Sequence, residues 1–179
     1  QSAKGRIYLS EKDILTNLDD VICIMPTACN HLEFLAGRGD DIDLHKKIES
    51  YLSSFKDNLF IGSSCFDKNG YSPAANTLCK YAYKKGIPIV GLNDVLFLSK
   101  EDHLAHQAKV SINNSTLLKD EINNPNVSSE QFFKTFEEMK SMHSEEILSN
   151  TNEVAKSCNV FLEEGEYYLP SYEIEDKKS

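Results

Sequence analysis

No two cysteines in this chain stand at the C-x-x-C spacing of a zinc knuckle or a redox motif. The five that occur, Cys23, Cys29, Cys65, Cys79 and Cys158, are odd in number and scattered. That argues against a disulfide frame and for reduced thiols in a cytosolic protein. No apolar run approaches the roughly 20 residues needed to cross a bilayer. The first residues do not have the charged-then-apolar pattern of a signal peptide. Basic residues are in deficit: 19 Lys and Arg stand against 28 Asp and Glu, for a net charge of −9. A surface that grips nucleic acid unaided needs a dense Lys/Arg face, and this composition speaks against one. Gly37-Arg38-Gly39-Asp40 reads as a turn and lacks the lysine and third glycine of a phosphate loop.

What is present suits one ordinary domain. The 179 residues are 40% hydrophobic and 26% charged, normal for a globular protein with its own core. The chain opens on Gln1, as expected of a fragment or a processed piece. Ile7-Tyr8-Leu9 is a short strand candidate. Ser10 caps a helix that carries Ile14, Leu15 and Leu18 on one face and breaks at Asp19-Asp20. The unbroken apolar run Val21 to Met25 is expected of a strand covered on both faces, closed by Pro26. Asn30 caps a helix from His31 to Ala36. Leu44, Ile48, Leu52 and Phe55 then recur at helical spacing. Asn58 to Ser63 is the next strand, followed by a loop from Cys65 to Tyr71.

Ser72 and Pro73 are a cap and a first-turn proline. Ala75, Leu78, Cys79 and Ala82 form the buried face of the helix they open, and Gly86 stops it. A strand from Ile87 to Leu92 follows. The centre of the chain therefore reads β-α-β-α-β, an α/β pattern with parallel strands and helices outside. Beyond it, 113–127 reads as a polar surface loop. Ser128 to Gln131 has a capping-box pattern for a helix with Phe132, Phe133 and Phe136 on its core side. Ser144 opens a last helix, Glu145 to Ser157, with Ile147, Leu148, Thr151, Val154 and Ala155 inside. Asn159 to Leu162 is a short strand, and Glu173 to Ser179 a frayed charged tail.

Chemistry concentrates at Asn93-Asp94, just past the strand. Polar residues at the carboxyl ends of strands are where α/β folds build sites, although the same pair also makes a plain turn. After the earlier strand stand Cys29, Asn30 and His31. Asn30 and His31 read as a helix start, while Cys29 stays open as a ligand. His103 and His106 are three apart beside Asp102, a spacing compatible with a metal but commoner in capping or solvent-facing histidines.

Several stretches share one order with a known family. They are Gly86 to Val95, Glu101-Asp102, Ala105-His106, Phe133 to Met139, Asn152-Glu153-Val154-Ala155-Lys156-Ser157-Cys158-Asn159-Val160, and Gly165-Glu166-Tyr167-Tyr168-Leu169-Pro170. In that order the chain resembles the later part of the PHP (polymerase and histidinol phosphatase) domain of bacterial DNA polymerase III alpha subunits. The likeness is good from about residue 84 to 172 and weaker, in the right order, from 7 to 83.

The resemblance implies a partial, distorted β/α barrel of the PHP, TIM-like kind, with parallel strands and outer helices. Residues 1–172 would be an incomplete PHP domain without the family's opening H-x-H strand, and 173–179 its tail. It places a metal cluster at the carboxyl ends of the strands, where Asp94 matches the family aspartate. The family histidine two positions on is Leu96 here, and a family glutamate aligns with Gly62. These losses imply a degenerate scaffold with no catalytic residue of its own, residual metal positions at most at Asp94 and Cys29, and no cofactor. Its partners would be the remainder of the polymerase chain and a proofreading exonuclease subunit, with DNA held by other domains, in the cytoplasm and without a membrane. The alternative is an active PHP phosphoesterase or 3′–5′ exonuclease using Zn or Mn.

Overall fold

A computed structural model describes residues 2–3, 6–7, 9–16, 20–27, 31–38, 41–64, 73–123, 127–161 and 165. Two-residue strands β1 (Ser2–Ala3) and β2 (Arg6–Ile7) pair antiparallel. Helix α1 (Glu11–Thr16) starts from Ser10. There the Asp13 backbone N–H donates to the Ser10 hydroxyl at 3.2 Å, and the Ser10 N–H donates back to the Asp13 carboxylate at 3.1 Å. This reciprocal box satisfies two N–H groups that a helix start would otherwise leave open.

Three parallel strands make the main sheet: β3 (Cys23–Pro26), β4 (Leu59–Ser64) and β5 (Ile89–Leu92), in that spatial order. Met25 lies opposite Ile61, and Ile61 opposite Ile89. Side chains alternate across a strand, so one face presents Cys23, Met25, Leu59, Ile61 and Ile89. That face joins a single apolar cluster with Leu35, Leu44, Ile48, Phe55, Leu78, Tyr81 and Ala82. The helical members come from α2 (His31–Arg38), α3 (Asp41–Phe55) and α4 (Pro73–Lys85). Leu44, Ile48 and Phe55 are buried because steps of four and seven residues return to one helix face.

The link from α4 to β5 is set by Gly86. Its φ of 70° is left-handed, which glycine adopts without a Cβ clash. Gly86 N–H donates to the Tyr83 carbonyl at 3.2 Å and Ile87 N–H to the Ala82 carbonyl at 2.9 Å. This is a Schellman closure, with buried Ile87 as its apolar contact.

Helices α5 (His103–Asn114), α6 (Leu118–Asn123), α7 (Phe136–Met142) and α8 (Glu145–Ser157) complete the described chain. The last helix lies along β5. Thr151 Oγ1 accepts from the Gly91 N–H at 2.9 Å, and Asn150 Nδ2 donates to the Ile89 carbonyl at 3.0 Å. Two side chains thus occupy backbone groups that an edge strand would leave open.

The architecture is α/β with parallel strands, as the alternation implied, and several details differ from the sequence reading. Strand β3 sits at the sheet edge, so its Ile24 remains 37% exposed instead of covered on both faces. The expected turn at Gly37-Arg38 is the last part of α2. The 113–127 stretch is no simple loop. Asn113 and Asn114 end α5, and α6 follows; Gln107 Nε2 donates to the Glu121 carbonyl at 3.4 Å between them.

Ser128 to Gln131 forms a turn, with Ser128 N–H donating to Gln131 Oε1 at 2.9 Å. The helix begins later, where Thr135 and Glu138 make a reciprocal box. Of the three phenylalanines only Phe132 is buried; Phe133 and Phe136 are exposed. On α8 the expected inner residues Ile147, Leu148, Thr151 and Val154 are half-buried, and Ala155 is exposed. Asn159 to Phe161 is not a strand, and Val160 and Phe161 are exposed. Leu162, the 65–72 loop, Asn30 and the 173–179 tail lie outside the described residues.

Candidate functional site

The carboxyl ends of the three strands converge on Thr27, Ser64 and Asn93. Thr27 is fully buried. Its N–H donates to the Gly62 carbonyl at 2.8 Å, and its hydroxyl accepts from the Ser64 N–H at 3.3 Å. One residue therefore ties the end of β3 to the end of β4. Ser63, also fully buried, leaves its hydroxyl without a hydrogen-bond partner among the described residues.

After β5 the chain stays extended and meets a distant segment. Asn93 Nδ2 donates to the Phe132 carbonyl at 2.8 Å. Leu96 N–H donates to the Gln131 carbonyl at 2.9 Å, and Phe133 N–H to the Phe97 carbonyl at 3.0 Å. Phe97 and Phe132 form a parallel bridge. Asn93 is thus a clamp between two segments 39 residues apart. Asp94 is exposed, and no hydrogen bond or ion pair joins it to another described residue. Leu96 is 46% exposed.

His103 and His106 do not meet over an ion. Each ring packs on Phe97, with centroids 5.6 Å apart. His103 Nε2 also lies 2.9 Å from the Val127 carbonyl oxygen, so the two histidines pack around Phe97. Phe132, beneath the clamp, carries the buried Lys134 with Nζ 4.3 Å from its ring centroid. Sequence reasoning missed this pair, because a lysine next to a phenylalanine reads as a surface residue until the fold turns it inward.

Gly62 lies between the side chains of both neighbouring strands. A Cβ built there would fall 2.3 Å from Leu92 Cδ1 and 2.9 Å from Ile24 Cγ2. The aliphatic groups of both neighbouring strands fill the space where a side chain at 62 would start. A metal cluster needs several anionic or imidazole donors on each ion. Among the described residues no group of three or more His, Cys, Asp or Glu side chains is placed to hold one. Among the described residues, the exposed carboxylate of Asp94, with Leu96 two residues on and Ile24 and Leu92 beside Gly62, does not make up such a donor set. Cys29 lies outside the described residues. No helix among the described residues is long and apolar enough to cross a membrane.

No family model matches the chain. Over 124 residues it is 35% identical to the DNA polymerase III subunit alpha of Buchnera aphidicola subsp. Acyrthosiphon pisum (strain APS), a match covering 68% of this chain and 11% of that protein. Over 93 residues it is 41% identical to the protein of the same name from Buchnera aphidicola subsp. Schizaphis graminum (strain Sg), covering 51% of this chain and 8% of that one. With the DNA polymerase III subunit alpha of Escherichia coli (strain K12) it shares 34% identity over 144 residues, 78% of this chain and 12% of the other. The chain is therefore homologous to proteins of that name over half to three-quarters of its own length. It spans about a tenth of the length of the curated relatives it matches.

Proposed function

We propose that this chain is a piece of a DNA polymerase III alpha subunit, a DNA-directed DNA polymerase of the replication machinery. In this reading residues 1–172 are an incomplete PHP domain whose parallel strands belong to a distorted barrel. The domain is a scaffold: it steadies the polymerase and docks a proofreading exonuclease subunit, while DNA is held by other domains. Its setting is the cytoplasm.

The observation that carries the scaffold reading is the crowding at Gly62. The PHP resemblance puts a ligand glutamate there, and Leu92 and Ile24 take the room it would need. Leu96 in place of the family histidine agrees with it. The homology to polymerase alpha subunits supports the parent assignment, and the net charge of −9 suits a domain that faces protein more than DNA.

The test is metal content and 3′-nucleotide release by the full-length protein after incubation with Zn²⁺ or Mn²⁺. No bound ion and no release are expected, with Asp94→Ala indistinguishable from the parent. Two or more bound ions, with release abolished by Asp94→Ala, would overturn the scaffold reading. That result would make the domain a metal-dependent phosphoesterase, with Asp94 and perforce Cys29 or other residues completing its ligand set. Co-purification of an exonuclease with the full-length protein tests the docking half separately.

A further inference from the structure

Helices α5 and α6 form a hairpin in which burial runs against polarity. The side chains it buries are Gln107, Ser111 and Glu121. Hydrogen bonds serve this polar side. Gln107 Nε2 donates to the Glu121 carbonyl at 3.4 Å, and Ser111 Oγ donates to the Gln107 carbonyl at 3.0 Å. The turn between the helices is fixed as well: Ser115 is left-handed, and the Thr116 N–H donates to the Ser111 carbonyl at 3.0 Å.

The large apolar residues are the ones left out. On α5, Leu104, Ala108 and Ile112 stand four apart and make one row. Leu104 is exposed, and Ile112 is 81% exposed. On α6, Leu118 and Ile122 repeat the step and are exposed, as is Leu117 just ahead of the helix. One exposed leucine signifies nothing. Five aliphatic side chains outside, against a glutamine, a serine and a glutamate inside, mark a surface that another protein surface covers. The exposed charges on the same helices are Lys109, Lys119 and Asp120. Their signs are mixed, so the face selects neither nucleic acid nor a strongly charged partner.

We propose that this hairpin face seats another part of the same polypeptide, an apolar element of the polymerase body that packs on it permanently. The inference rests on the reading of this chain as a piece of a polymerase alpha subunit. The match takes up 11% and 12% of two such relatives, so in that reading most of the polypeptide lies outside this chain. A tethered segment meets the face at an effective concentration on the order of millimolar, well above that of a second copy or a free partner. A face this poor in charge suits permanent covering, since lasting interfaces are the more apolar ones.

Thiol labelling of the purified full-length protein tests this. Leu104→Cys, Ile112→Cys and Ile122→Cys are made singly, and the maleimide reaction at each new thiol is followed by the mass of its own peptide, which separates it from the native cysteines. Each is expected to react slower in the native protein than in urea by roughly tenfold or more. That protection should survive tenfold dilution in a protein that sediments as a monomer. As a second reading, Ile112→Lys should lower the melting temperature of the full-length protein, whereas Lys109→Gln leaves it unchanged. Native rates close to the urea rates at all three positions overturn the proposal, because the face is then open to solvent or waits for a separate protein. Protection that disappears on dilution overturns it in favour of a second copy. Primer extension by the same preparation keeps the two levels apart. Extension without protection removes this inference alone, and absence of extension removes the polymerase reading on which it rests.

Discussion

Leu92 stands over Gly62: a methyl group added at 62 would lie 2.3 Å from Leu92 Cδ1. The two residues sit on neighbouring strands, and Ile24 on the third strand completes the contact at 2.9 Å. Overpacking costs about 1–3 kcal/mol, and the low end applies here because the nearest atom is the far end of the Leu92 side chain. Gly62→Ala should therefore lower the thermal midpoint, and Gly62→Glu should lower it further. The clash is with the ends of side chains, so Leu92→Ala should relieve much of it. A double-mutant cycle by thermal melting reads the coupling; strictly additive effects would count against the contact.

The apolar cluster makes a sharper contrast. Leu44 is fully buried, whereas Phe161 is 93% exposed. Leu44→Ala should cost about 2–5 kcal/mol through lost burial and the cavity left behind. Phe161→Ala should leave the unfolding midpoint in denaturant unchanged. Equal effects of the two substitutions would place the core elsewhere.

His143 links stability to pH. It is 5% exposed, its ring lies over Gly91, and burial pushes its imidazole below the ordinary histidine value. Where the folded value is the lower one, the unfolded chain takes up the proton first as pH falls. The His143 contribution is whole above the ordinary value, about 6.5, and is lost as pH drops from there towards the folded value. Melting temperatures between pH 7.5 and 5 should fall in the parent and fall less in His143→Gln. The depressed carboxyls of Asp13, Glu49 and Glu138 act in a lower window: their contributions stand above the ordinary carboxylate range and fade as pH falls below it. Parallel slopes for parent and variant from pH 7.5 to 5 would remove His143 as the cause.

Capping distinguishes two similar motifs. Thr135 accepts from the Glu138 N–H at 3.3 Å and Glu138 returns a carboxylate to the Thr135 N–H at 2.7 Å, at the true start of α7. The same bonds hold the Glu138 carboxyl below its ordinary value, the backbone N–H of Thr135 contributing most. Thr135→Ala should cost about 1 kcal/mol. Ser128→Ala removes a hydroxyl that accepts from the Glu130 N–H at 3.2 Å in a turn instead of at a helix start, and should cost less. Chemical denaturation of the two variants decides the order.

The same pair of motifs shows where a sequence can be read and where it cannot. Both carry a hydroxyl followed three residues later by Gln or Glu, so local pattern alone does not rank them. The bridge between Phe97 and Phe132 does, because it holds 131–133 extended and delays the helix. The end of α5 was hidden for a related reason. Ser115 takes a left-handed φ of 55° without being glycine, and Asn113-Asn114 looked like loop residues. By contrast α3, α4, α8 and the parallel order of the strands were legible, since apolar spacing, Pro73, Gly86 and Ser144 all agree with the final packing. At the candidate site the strand end before Asn93-Asp94 was legible. The Asn93 clamp on Phe132 was not, being a contact across 39 residues.

The way α8 closes β5 bears on where this polypeptide can be shortened. Asn150 and Thr151 are the groups that keep the Ile89 carbonyl and the Gly91 N–H occupied. A version ending before Glu145 would present both to any neighbouring molecule with a strand to offer. Self-association would then precede unfolding, and the shortened protein would fail as a precipitate while its core cluster remained intact. The functional boundary of this domain on its carboxyl side therefore lies beyond Thr151, set by two hydrogen bonds and not by the last residue of the sheet.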